Sequence, residues 1–150
     1  MRVVIQRVSK ASVEISGNNT AEITSGMVIL LGIEDNDDPQ DSDWLVRKII
    51  NLRIFSDTED KMNLSIQEVQ GEILVVSQFT LHAQTKKGNR PSFIRAAKPD
   101  VAIPLYEMFL EKLKQISGLR ISAGVFGADM QLTLTNDGPV TIIIDSKQKE

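Results

Sequence analysis

Two short, uninterrupted apolar runs constrain the fold of this chain more than any other feature. Met27–Ile33 is one such run, and Ile73–Val76 is the other. A continuous run of about four to eight apolar residues is typical of a strand that is buried on both faces. Both runs are far shorter than the roughly 20 residues that a membrane-spanning helix needs. The sequence therefore predicts an internal sheet covered by other layers, with no membrane segment.

Alternating apolar residues predict further strands around these two. Val3, Ile5, Val13 and Ile15 recur at odd spacing before the turn residues 17–19, which predicts a long opening hairpin. The apolar runs and the turn signals between them together define the predicted strands. These lie at 1–15, 21–23, 27–33, 73–81, 119–125, 130–135 and 140–145.

Two other segments have the periodicity of amphipathic helices. Leu45 and Ile49 belong to an apolar stripe that follows a polar, cap-forming break, and they predict a helix at roughly 40–54. A second stripe begins after Pro99 and stops at Gly118, a typical helix end.

The order of these elements indicates an α/β fold. About seven strands in mixed sheets and two main helices favour a layered β/β/α domain, with the helices on one side. The chain has 150 residues and shows no linker, repeat or low-complexity tract, so residues 1–150 are predicted to form a single domain. Asn136–Pro139 is interpreted as a turn between two late strands.

The composition excludes several kinds of site. The chain has no Cys, which removes disulfides, thiol nucleophiles, iron–sulfur clusters and thiolate zinc sites. One His leaves little for metal ligation, so neither a metal nor a cofactor is expected. The first eight residues read as a strand rather than as a signal peptide, and a cytoplasmic location is expected.

The charge distribution is uneven. The net charge is −3, yet residues 82–98, here called the basic segment, hold five cations and no carboxylate. Such a segment is either a solvated loop or a surface that binds a phosphate backbone. Its cations are Lys86, Lys87, Arg90, Arg95 and Lys98.

The end of the 73–81 strand carries the polar groups best suited to chemistry. Strand alternation places Gln78, Thr80 and His82 on one face, where they form either an active-site wall or a solvated strand end. Thr80 and His82 could act as nucleophile and base, although one His at a strand end is more often a surface group. A Thr hydroxyl is a weak nucleophile without such a base.

Four segments together resemble the signature regions of the D-aminoacyl-tRNA deacylases. They are Met1–Val8, Ser77–Leu81, Lys87–Phe93 and Asn136–Thr141, so the resemblance spans essentially the whole chain. One departure is His82, where members of that family commonly carry Tyr.

This resemblance implies an enzyme that hydrolyses the ester between a D-amino acid, or glycine, and the terminal ribose of tRNA. It also implies a homodimer in which Gly138 and Pro139, joined by a cis bond, enter the partner's pocket and exclude an L side chain. Backbone N–H groups around Ser77, Gln78 and Phe79 would receive the ester oxygen as it gains charge.

The resemblance also assigns roles to other residues. Thr80 is a candidate nucleophile or water-positioning group, although the family pattern favours backbone donors and the ribose hydroxyl. Phe126 would lie near the substrate, and Lys86, Lys87 and Arg90 would contact the RNA.

Two other functions are consistent with parts of the sequence. One is a non-catalytic RNA- or DNA-binding module that uses the basic segment. The other is a small-molecule esterase, which the basic segment and the lack of a Ser-His-Asp set disfavour.

Overall fold

A computed structural model describes residues 1–149, so Glu150 lies outside the described part. The helices are α1 (Pro39–Ile50) and α2 (Pro99–Ser117), and a 3₁₀ helix covers Phe79–His82. The strands are β1 (Arg2–Ile15), β2 (Asn18–Ile23), β3 (Gly26–Gly32), β4 (Phe55–Ser56), β5 (Met62–Leu64), β6 (Glu72–Ser77), β7 (Ile121–Ala123) and β8 (Gln131–Asp145). The predicted layered α/β class is confirmed.

Six of the strands form one mixed sheet. Its order is β2-β1-β3-β6-β7, and β8 pairs with β1. The β3–β6 and β6–β7 pairs are parallel, whereas β1 is antiparallel to β2, β3 and β8. The two apolar runs are β3 and β6, which lie side by side in the sheet as buried strands.

The sheet separates two hydrophobic cores, which explains why the central residues of β3 and β6, 27–31 and 73–76, are apolar at every position. Ile29 and Val75 face the core that packs against the two helices. Val28 and Leu74, their immediate neighbours in sequence, face a second core inside the curve of the sheet. All four side chains are fully buried, and each such burial contributes roughly 1.5–3 kcal/mol to folding.

The first helix begins as predicted and ends four residues early. Asp38 accepts hydrogen bonds from the backbone of Gln40 and Asp41, and the Asp41 side chain accepts one from the Asp38 N–H, which completes a capping box. Beyond Ile50 the chain leaves the helix because the apolar residues that follow enter the core as part of the β4–β5 hairpin. Phe55 pairs there with Leu64.

The strand predicted at 73–81 is wrong in its last four residues. Its pairing with β3 ends where Leu31 lies opposite Ser77. The Gln78 N–H makes one more bond, 2.8 Å to the Leu31 carbonyl, and the backbone then coils into the 3₁₀ helix. Without a neighbouring strand to bond to, extended backbone would leave its polar groups unpaired. The predicted common strand face of Gln78, Thr80 and His82 therefore does not form.

The two strands predicted at 130–135 and 140–145 are halves of one strand, β8. Val8 of β1 pairs with Asn136, and Gln6 pairs with Thr141. The stretch between the two paired residues is therefore shorter on β1 than on β8. The extra residues form a bulge, not the predicted turn, because β1 is long enough to pair with both halves. Gly138 and Pro139 lie in this bulge, and the peptide bond that joins them is cis.

Candidate active site

A cavity of about 270 Å³ opens where β6 ends and the 3₁₀ helix begins. Apolar side chains form much of its lining, among them Leu31 of β3 and Leu132 of β8, and the end of β6 supplies polar backbone. Its lining includes Ser77, Gln78, Phe79, Phe126, Met130 and Leu132. A largely apolar cleft with a few polar groups at one wall is the usual form of a small-molecule site.

Two backbone N–H groups at this cavity have no partner in the described part of the protein: that of Phe79, which lines the cavity, and that of Thr80, which follows Phe79 in the chain. Phe79 and Thr80 are the first residues of the 3₁₀ helix, so their N–H groups have no partner inside it. Within residues 1–149, neither group donates to any other acceptor. Gln78, expected as a donor, instead gives its N–H to the sheet. The amide of Thr80 was missed because strand alternation offered only the hydroxyl.

The Thr80 side chain has a different neighbour from the one proposed for it. Gln78 Nε2 donates a 2.6 Å hydrogen bond to Thr80 Oγ1. The imidazole of His82 is 3% exposed rather than on the surface, and its Nδ1 lies 3.8 Å from a Glu34 carboxylate oxygen. Neither ring nitrogen has a hydrogen-bond partner within residues 1–149, so Thr80 and His82 form no hydrogen-bonded pair.

Phe126 forms a wall of the cavity and is held by a second aromatic ring. Its ring centroid lies 5.7 Å from that of Tyr106, with the planes at 60°. The Tyr106 hydroxyl donates to the Val75 carbonyl, and burial raises the pKa of Tyr106 to about 12. The phenol is therefore neutral at physiological pH and fixed as a donor, which keeps the Phe126 wall rigid.

The basic segment lies beside the mouth of the cavity. Backbone hydrogen bonds in both directions between Gln84 and Ser92 close a loop that carries the exposed residues Lys86, Lys87 and Arg90. Just after this loop, the ring of Phe93 packs edge-on against Phe79, with the centroids 5.1 Å apart. This contact ties the segment that carries the three cations to Phe79, a residue of the cavity lining.

The bulge that carries Gly138 and Pro139 is braced from inside. Arg7 Nε lies 3.1 Å from the Asp137 carbonyl and 3.2 Å from its carboxylate, and another Arg7 nitrogen donates to the Ile54 carbonyl. Neither Gly138 nor Pro139 lines the cavity of its own chain. One chain thus brings Ser77–Thr80, Phe126 and the basic segment together and leaves the dipeptide elsewhere. Arg7 has no sequence signal beyond being a cation in an apolar strand.

Metal-binding clusters and membrane-spanning helices are both absent from residues 1–149. No group of three or more His, Cys, Asp or Glu side chains is placed there to hold a metal ion. No helix in this part of the chain is both long and apolar enough to cross a membrane.

Comparison with known proteins identifies the family. The sequence profile described as D-Tyr-tRNA(Tyr) deacylase matches residues 4–145. The chain belongs to this deacylase family. A D-aminoacyl-tRNA deacylase from Flavobacterium johnsoniae is 61% identical over 150 residues, which cover 100% of each chain.

Two solved structures share the fold of this deacylase family member. The first, named c-Myc DNA Unwinding Element Binding Protein, has a TM-score of 0.92 and 43% identity over 97% of this chain and 98% of its own. The second is a probable eukaryotic D-amino acid tRNA deacylase with a TM-score of 0.82 and 19% identity. It covers 95% of this chain and 97% of its own, and it supports the fold alone.

Proposed function

We propose that this chain hydrolyses the ester of D-aminoacyl-tRNA at the cavity described above, releasing the D-amino acid and free tRNA. Membership of the deacylase family supports the reaction. The observation that carries the location is the pair of unused N–H groups of Phe79, which lines the apolar cleft, and Thr80, which follows it. We take residues 1–150 as one deacylase domain, since both cores are built on a single sheet.

The proposed chemistry uses backbone rather than side-chain groups. Water attacks the ester carbonyl carbon, and the carbonyl oxygen gains negative charge between the N–H groups of Phe79 and Thr80. Donors fixed in place before the reaction stabilise such an oxyanion at little reorganisation cost. The intermediate then collapses and the ribose oxygen leaves. The proton that the attacking water loses passes through the neighbouring ribose hydroxyl to this leaving oxygen. The partner of Thr80 Oγ1 is the Gln78 side-chain amide and not a base, so the Thr80 hydroxyl is assigned the role of fixing the 3₁₀ helix through Gln78.

Selectivity for D-amino acids is proposed to need a second copy of the chain. The bulge at Gly138–Pro139 lies outside its own cavity and is held rigid by Arg7. In a homodimer this dipeptide would enter the partner's cavity and occupy the space of an L side chain. Glycine has no side chain to exclude, so glycyl-tRNA is a proposed second substrate.

The basic segment is proposed to bind the tRNA backbone. Lys86, Lys87 and Arg90 are exposed, and none of them has an ion-pair partner within residues 1–149. Free cations release counterions when they bind phosphates. A tRNA substrate also supports a cytoplasmic location.

A nucleic-acid-binding module without turnover is the alternative. The 43% identical structure is named for binding a DNA element, and the basic segment would suit such a role. A pure binder, however, has no need of free amides at an apolar cleft.

One assay separates these functions. The chain is mixed with D-tyrosyl-tRNA or L-tyrosyl-tRNA, and release of free tyrosine is followed. We expect rapid release from the D ester only. Binding of both substrates without release would favour the non-catalytic module.

A further inference from the structure

One buried imidazole, that of His82, has no role in the chemistry proposed above. His82 is the only histidine of the chain, and it ends the 3₁₀ helix that presents the free amides. Its ring packs so closely on Gly32 that a Cβ at Gly32 would lie 3.0 Å from the ring's Cδ2. Both ring nitrogens are buried and lack a hydrogen-bond partner within residues 1–149. A buried polar group without a partner is costly, so its persistence needs an explanation.

The nearest charged group to this ring is already engaged. Glu34 is 6% exposed, and its Oε2 lies 3.8 Å from His82 Nδ1. The same oxygen accepts hydrogen bonds from Arg95 Nε at 3.2 Å and from another Arg95 nitrogen at 2.7 Å. Arg95 therefore neutralises the buried Glu34 carboxylate. His82 Nδ1 is a second candidate donor to the same oxygen, and its distance exceeds that of a hydrogen bond by only about 1 Å.

Arg95 differs from Glu34 in its access to solvent. Its side chain is 49% exposed, and it belongs to the basic segment proposed to bind tRNA. The backbone directly after Arg95 is tied to the fold, because Ala96 bridges to Glu34 and the Ala97 N–H donates to the Ile33 carbonyl. The guanidinium can thus turn toward a phosphate while its backbone stays in place. Arginine is well suited to such an exchange, since its planar donors match carboxylate and phosphate alike.

We propose that Arg95 moves from Glu34 to an RNA phosphate when tRNA binds, and that His82 then donates its Nδ1–H to the vacated Glu34 oxygen. An unpaired buried carboxylate is strongly destabilising, so Arg95 is free to leave only if another donor replaces it. His82 is a positioning residue in this exchange, not a catalytic one. Its movement toward Glu34 ties the 3₁₀ helix, and hence the amides of Phe79 and Thr80, to the presence of RNA. This inference rests on the proposed function.

The other charged groups around the 3₁₀ helix already have partners. His82 is therefore the donor that can replace Arg95 at Glu34. The 3₁₀ helix packs against β1 and β3. From β1, Arg2 is committed to Asp145 and to the Leu81 carbonyl. After β3, Asp37 is committed to the Glu34 N–H and to the Met1 amino group.

Nuclear magnetic resonance of the single imidazole tests the exchange directly. A long-range ¹H–¹⁵N spectrum of ¹⁵N-labelled protein is recorded before and after addition of deacylated tRNA, with binding followed separately by fluorescence anisotropy. We expect a hydrogen-bonded Nδ1–H signature only with tRNA in the wild type. Arg95→Met should show it without RNA, and Lys114→Met, which removes an exposed cation outside the basic segment, should behave as the wild type.

A double-mutant cycle on tRNA affinity gives a second, independent readout. His82→Phe should raise the Kd of the wild type about tenfold, since a charge-assisted hydrogen bond is lost only in the complex. In the Arg95→Met background the same change should leave the Kd within about twofold, because no exchange remains. A purely structural His82 would instead give equal effects in both backgrounds, which would overturn the exchange.

The outcomes also separate this inference from the function beneath it. If the wild type binds tRNA and the imidazole signals do not change, the exchange is wrong while the deacylase assignment stands. If the wild type deacylates no D-tyrosyl-tRNA and binds no tRNA, both are wrong.

Discussion

The guanidinium of Arg7 lies 3.1 Å from the carbonyl oxygen of Asp137, across the register shift between β1 and β8. Arg7 is 9% exposed and also donates to the Ile54 carbonyl, so it joins the β8 bulge to the chain that follows α1. The residues held by this contact come directly before Gly138.

Arg7→Met should therefore loosen the bulge. The substitution keeps an apolar stem and removes the donors to the Asp137 and Ile54 carbonyls, which costs about 1–3 kcal/mol of stability. We expect the ratio of D- to L-tyrosyl-tRNA deacylation to fall more than the D rate itself. Parallel loss of both rates, with an unchanged ratio, would mean that Arg7 acts on folding alone.

Gly138→Ala should be more damaging than an alanine at another left-handed glycine. Gly138 has a φ of 126°, and an added Cβ would lie 2.9 Å from a Val140 methyl and 3.0 Å from an Arg7 nitrogen. The matched control is Gly88→Ala, where φ is 69° and nothing lies within 4 Å. Thermal unfolding and D/L selectivity are measured for both variants. Equal behaviour of the two would show that the crowding at Gly138 is unimportant.

Pro139→Ala tests the dipeptide without adding a Cβ to Gly138. We expect weaker rejection of L-tyrosyl-tRNA with the fold retained, because the proposed partner contact loses its ring. Normal selectivity in a folded variant would remove Pro139 from the proposed role.

Neutralising Lys86, Lys87 and Arg90 together should weaken RNA binding rather than chemistry. We expect a higher KM for D-tyrosyl-tRNA and a flatter dependence of log KM on log salt concentration, since each lost phosphate contact reduces the slope by about one. A charge-matched control neutralises three exposed cations outside the basic segment, namely Lys10, Lys48 and Lys114. A salt slope equal to that of the control would place the RNA interface elsewhere.

The general architecture could be predicted from local patterns, because β3 and β6 each contain an unbroken apolar run and Asp38 is a typical N-cap residue at the start of α1. The end of β6 could not be predicted in this way, because the length of a strand depends on the length of its neighbour. Here the neighbour β3 ends at Gly32. The bulge in β8 was missed for a related reason. A Gly-Pro pair between two apolar runs predicts a hairpin until the long partner β1 is known.

The candidate site was predictable in its segments and not in its contacts. Ser77, Gln78, Phe79 and Phe126 line one cavity, and their roles in catalysis stay predictions. The burial of His82 beside Glu34 depends on a contact between residues far apart in sequence, which periodicity does not encode. The contacts of Arg7 could likewise not be predicted, because its partners lie in β8 and after α1, far away in sequence.

The single-turnover rate of D-tyrosyl-tRNA hydrolysis by Thr80 variants tests the backbone mechanism most directly. Thr80→Ala removes the hydroxyl and keeps the N–H, whereas Thr80→Pro removes the N–H at a position early in the 3₁₀ helix. His82→Tyr serves as the control that removes the imidazole. We predict that Thr80→Ala and His82→Tyr stay within about tenfold of the wild-type rate, while Thr80→Pro loses roughly 10²–10³-fold, as when an oxyanion donor is removed. Loss of several orders of magnitude in Thr80→Ala or His82→Tyr would contradict the mechanism and establish a side-chain nucleophile.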